Sequence, residues 1–166
     1  MRRGPIVVSS VGMLLLAAAI GAQQKPDFSG TWVVVSPADS AGQEETIKQD
    51  DKTLTKSHAS EGGGHSRTVR LEGTEVRNVI TSHGDEIVTL SKASWDGSLL
   101  IVTETTTYPD GRKSNSREVW SIDAEGRLNI EFTQTLDGKT TTIKVVYQKK
   151  SQTPSSKTAT PMVRLY

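Results

Sequence analysis

The chain has 166 residues, 34% of them hydrophobic and 5% aromatic, enough for one domain with a lean core. Its 20 basic side chains nearly balance 19 acidic ones, so no long-range field recruits nucleic acid or an anionic membrane. No cysteine occurs, which excludes disulfides, thiol catalysis, thiolate metal sites and a lipidated cysteine anchor.

Residues 1–22 read as a signal peptide that is cleaved. Arg2 and Arg3 supply a positive start, Ile6 to Ile20 is mostly apolar, and Ala17, Ala18, Ala19, Gly21 and Ala22 offer small residues for cleavage. The apolar run falls short of the roughly 20 residues that a spanning helix needs, so no stable membrane insertion is expected after cleavage. The mature chain is expected to be exported, either periplasmic or secreted.

Beyond the leader, turn signals recur every 8–15 residues or so. They sit at Asp50-Asp51-Lys52, Glu72-Gly73-Thr74, Ser82-His83-Gly84-Asp85, Asp96-Gly97-Ser98, Pro109-Asp110-Gly111-Arg112, Ala124-Glu125-Gly126-Arg127 and Asp137-Gly138-Lys139. Gly supplies positive φ there, and Asp braces the turn through its own carboxylate. The segments between are of strand length and rich in Thr, Val and Ile. They predict ten strands, at about 28–36, 44–49, 52–58, 66–71, 74–81, 86–95, 98–108, 113–122, 127–135 and 139–148. Residues 37–46 hold at most one helical turn, starting at Pro37.

Alternation assigns faces. Leu128, Ile130 and Phe132 share one face, with Asn129, Glu131 and Thr133 opposite. Ile143, Val145 and Tyr147 lie together against Thr142, Lys144 and Val146. Glu118 and Trp120 share a face whose side, lumen or exterior, the pattern leaves open. Half-buried antiparallel strands in sequential hairpins predict an up-and-down meander, and closing it removes exposed edges. The expected fold class is all-β. It is a single antiparallel up-and-down barrel of about 8–10 strands over 27–148, followed by a disordered tail at 149–166. So lean a core suits a barrel that is partly hollow or lined with polar groups.

Phe28-Ser29-Gly30-Thr31-Trp32 resembles the Gly-x-Trp element of the lipocalin and fatty-acid-binding superfamily, in which the Trp packs across the closed end of the barrel. Ser94-Trp95-Asp96-Gly97, Glu118-Val119-Trp120-Ser121 and Asp123-Ala124-Glu125-Gly126-Arg127-Leu128 resemble pieces of exported bacterial lipocalin-like proteins, most without an assigned activity. The resemblance covers about 27–148 and implies a calycin-type barrel, with Gly30 and Trp32 as a structural motif at its end. The chain departs from the pattern in three places. It lacks the Thr-Asp-Tyr element of typical lipocalins. Ten strands suit the fatty-acid-binding branch, but 37–44 is too short for that branch's helical lid. The branch often anchors a carboxylate with Arg-x-Tyr on its last strand; here the place reads Val145-Val146-Tyr147, with the Tyr and without the Arg.

His58 and His65 flank a Gly-rich loop that carries Glu61. Two imidazoles and a carboxylate are zinc or copper ligand types, but loop histidines are ordinarily solvated, and no metal is expected. No nucleophile elbow occurs, and Asp110, Asp123 and Asp137 lie in turns that already explain them. The expected protein is therefore no enzyme and carries no cofactor. It is expected to bind a small apolar or amphipathic ligand inside the barrel, with Trp120, Phe132, Tyr147 and Glu118 as contacts. With no Arg or Lys placed on those faces, neutral ligands are expected over fatty acids. The alternative is a filled barrel that serves as a structural or protein-interaction module of the cell envelope.

Overall fold

The computed structural model describes residues 24–58, 64–82 and 84–151. The expected leader, Glu61, His83 and the tail beyond Ser151 lie outside the described residues. Ten strands form among the described residues: β1 (Gly30–Ser36), β2 (Glu44–Gln49), β3 (Thr53–His58), β4 (His65–Arg70), β5 (Val76–Ser82), β6 (Asp85–Asp96), β7 (Leu99–Thr107), β8 (Lys113–Ile122), β9 (Leu128–Leu136) and β10 (Lys139–Lys149). Each begins and ends within two residues of its expected bounds. A single 3-10 turn, Ala38–Ser40, follows Pro37.

The turns form where local chemistry favours them. Asp50 Oδ1 accepts the amides of Lys52 and Thr53 at 2.8 and 2.7 Å, and Asp123 Oδ1 accepts that of Arg127 at 2.8 Å. Asp137 and Gly138 both have positive φ, 51° and 75°, as a two-residue hairpin between β9 and β10 requires. Cross-strand hydroxyl pairs such as Thr55–Thr68 and Thr89–Thr106, at 2.9 and 3.0 Å, account for much of the Thr content of the strands.

All neighbouring strands are antiparallel, in the order β4-β3-β2-β1-β10-β9-β8-β7-β6-β5. First and last strands pair through Val34↔Tyr147 and Trp32↔Lys149. The meander thus curls into a nearly closed barrel whose seam runs between β4 and β5. No backbone ladder crosses that seam among the described residues. A side chain does so instead: Asn78 on β5 accepts the Thr68 amide at 2.9 Å and donates Nδ2 to the Thr68 carbonyl at 3.0 Å. It occupies both ladder positions of one β4 residue, which blunts the exposed edge.

The two ends of the barrel differ. At one, Phe28, Leu100, Trp120 and Leu128 are fully buried, in a core with Trp32, Ile47, Leu54, Val69 and Val102. Each such side chain contributes about 1.5–3 kcal/mol of burial. Phe28 precedes β1 and folds across this end, stacked on Trp95 and edge-on to Trp120 at centroid distances of 6.1 and 5.6 Å. Its amide donates to Gln49 Oε1 at 3.1 Å, which ties the segment to β2. Trp32 Nε1 donates to the Phe28 carbonyl at 2.8 Å, so the indole is buried with its donor satisfied. Gly30 has φ 138°, and a Cβ there would lie 2.6 Å from Lys149 Cε. That clearance lets Lys149 lie over the Trp32 ring at 5.3 Å. At the opposite end, inward-facing Ile80 and Ile143 remain 38% and 47% exposed. That end is open.

Candidate functional site

Midway along the lumen the apolar packing gives way to charge. On β4, Val69 is buried, so strand alternation turns Arg67 inward as well. Arg67 reaches across the barrel to β8 and grips one carboxylate with both arms. Its Nη1 and Nη2 donate to Glu118 Oε1 and Oε2 at 2.9 and 2.7 Å. Nη1 also lies 2.9 Å from Glu104 Oε2 on β7. Trp120 Nε1 donates to Glu118 Oε2 at 2.7 Å. Ser91 Oγ donates to Glu104 Oε1 at 2.7 Å, and Asn78 Nδ2 reaches Ser91 Oγ at 3.2 Å. A polar crossbar therefore spans the barrel and connects, through Asn78, to the seam.

Electrostatics within the crossbar are mutually supporting. Burial alone would raise the Glu118 carboxyl, yet the Arg67 guanidinium, with Lys56 and the Trp120 indole, holds it below its ordinary value. Burial works against the Arg67 cation, but Glu118 and Glu104 raise its pKa above the ordinary guanidinium value. Burial, joined by Glu45 and Glu118, raises the Tyr147 phenol and keeps it neutral.

Above the crossbar, toward the open end, lies a cavity of about 220 Å³ bordered by Glu45, Lys56, Arg67, Asn78, Ile80 and Glu104. Lys56 Nζ stands 3.2 Å from Glu45 Oε2 and 5.8 Å over the Trp120 ring. Two larger hollows, about 650 and 760 Å³, run outside the barrel, over outward residues such as Thr31 and Thr46 in one and Ser57 and Ser66 in the other. They open to solvent, and the Lys150–Glu44 ion pair on the first is half exposed whereas the charged groups of the lumen are largely buried, so the lumen is the better candidate.

The residues singled out from sequence fall into different layers. Glu118 and Trp120 face the lumen and are joined by a hydrogen bond. Trp120, at 0% exposure, and Tyr147, at 5%, are enclosed in the core and present no free surface. Phe132 is half-buried, with Ile143 and Glu118 as its cross-strand neighbours, and so lies on the wall of the open half. Gly30 and Trp32 lie in β1, as described. The expectation of no Arg or Lys concerned the faces of the later strands; the basic groups of the lumen, Arg67 and Lys56, point inward from β4 and β3 instead. Alternation along Leu54-Lys56-His58 and Arg67-Val69-Leu71 carries that signal, because the buried Leu54, Val69 and Leu71 fix the face. Glu45, Asn78, Ser91 and Glu104 were likewise not singled out.

His58 and His65 are cross-strand partners, with ring centroids 5.6 Å apart at the open rim. No group of three or more His, Cys, Asp or Glu suited to a metal ion occurs among the described residues. Asp123 sits at the closed end, and Asp110 and Asp137 are bridged by Arg112 at 2.6 and 3.4 Å. Burial works upward on the Asp123 carboxyl, yet the Arg127 amide, Asn129 and the Arg127 guanidinium bring it down to about 2.

No protein-family model matches the chain, and no curated protein matches it in sequence. Among solved structures, the REP1-NXSQ fatty acid transporter is similar, with a TM-score of 0.50 and 12% identity. The match covers 75% of this chain and 96% of that one. At that identity the likeness is one of fold.

Proposed function

We propose that this chain is an exported, non-catalytic binding barrel that takes a small amphipathic ligand through its open end. The observation that carries this reading is the cup above the crossbar, a 220 Å³ cavity with charged groups at its base. Ile80, inward and 38% exposed, borders it, and the inward Phe132 and Ile143 elsewhere on the wall of the open half are also partly exposed. Unused apolar surface beside convergent polar groups is the usual make-up of a ligand site. The volume is below the roughly 300–1,000 Å³ of typical pockets. The ligand is therefore small, or only its head enters the cup. Kinship with the lipocalin and fatty-acid-binding superfamily belongs to the same proposal, as do export and cleavage of the leader. Absence of catalysis is supported by the commitment of Glu104 and Glu118 to Arg67.

A second reading has its own support. The closed half is packed with large side chains, and a barrel filled in that way also suits a structural or interaction module of the envelope. Native mass spectrometry of protein purified from the producing cells separates the two. A co-purified small molecule released on collisional activation supports the binding barrel. A bare chain mass, together with failure to bind any apolar probe, supports the filled module.

A further inference from the structure

We infer that the cup selects against anionic heads and takes one that donates hydrogen bonds, as an alcohol or an amine does. The inference deepens the binding reading above and rests on it. Three carboxylates, Glu45, Glu104 and Glu118, meet two fixed cations, Lys56 and Arg67, inside the barrel. Together these five groups carry one surplus negative charge. Arg67, the group best suited to a carboxylate, is already engaged by both Glu118 oxygens and by Glu104. An incoming carboxylate would have to displace one of these and leave it buried without a partner, which is costly. Meanwhile Glu45, at the edge of the cavity, stands 3.2 Å from Lys56 Nζ and keeps 15% of its side chain exposed. A partly exposed carboxylate beside a cavity accepts from a donor head, and a surplus negative charge repels an anion.

The test uses N-phenyl-1-naphthylamine as a neutral fluorescent probe of the full exported chain, displaced at neutral pH by 1-decanol, decylamine or decanoate. These share one alkyl chain and differ only in the head. Decanol and decylamine are expected to displace the probe at concentrations about tenfold or more below decanoate. Glu45→Gln, which removes the surplus charge, is expected to shrink that gap, with circular dichroism confirming the fold. If decanoate displaces as well as the others, or none displaces a bound probe, the head-group inference is overturned while the binding reading stands. If the probe does not bind and calorimetry detects none of the three, the binding reading itself falls.

Discussion

Arg67 and Glu118 lie 51 residues apart on strands that are not neighbours, yet they form a two-armed ion pair across the lumen. Their side chains are 16% and 7% exposed, so each charge depends on the other in place of water. Removing one partner strands the other. Arg67→Met or Glu118→Leu alone is expected to cost about 3–5 kcal/mol in a urea melt. The double variant is expected to cost clearly less than the sum of the two. Strictly additive losses would mean that the pair does not act as a unit.

Acid should weaken the same pair. The folded-state Glu118 carboxyl lies below its ordinary value of 4.5, so the charged form is favoured by folding. That contribution is fully present above 4.5 and is lost as pH falls through the lower folded value. The stability gap between the native chain and Glu118→Gln is therefore expected to be constant from neutral pH to about 5, and to close below 4.5. A gap that stays constant to pH 3 would contradict the assignment.

The seam is held by Asn78. Asn78→Ala leaves the Thr68 amide and carbonyl without their partner, at an expected cost of about 1–3 kcal/mol. Hydrogen exchange at the Thr68 amide is expected to accelerate more than at Leu54 or Val69. Unchanged Thr68 protection would show that the seam closes without the clip.

Much of this architecture was legible because it is local. Asp50, Asp123 and Asp137-Gly138 brace turns from within a few residues, so the strand bounds followed. The faces of 128–147 were legible from alternation alone. The crossbar was not. Ser66-Arg67-Thr68 reads as a solvated polar run until Val69 and Leu71 are known to be buried, and nothing near Arg67 points to a partner on β8. The seam was hidden for the same reason, since periodicity places residues on faces but does not show where a meander fails to close. The sequence pattern puts Phe28 at the start of a strand; in the fold it precedes β1 and plugs the closed end between Trp95 and Trp120.

That closed end gives a further prediction. Trp32 is buried and donates to the Phe28 carbonyl, so Trp32→Ala is expected to cost about 3–5 kcal/mol. Trp32→Phe keeps most of the packing and loses the hydrogen bond, and should cost clearly less. Equal losses would place the energy in the hydrogen bond and not in the ring.

The binding reading is tested most directly by an amide-resonance titration of isotope-labelled protein with N-phenyl-1-naphthylamine. Saturable shifts are expected at Ile80, Thr89, Phe132 and Ile143, around the open half of the lumen, with Leu100 and Leu128 at the packed end unmoved. Shifts confined to the outer groove at Thr46, Ser57 and Ser66, or none at saturating probe, would contradict it.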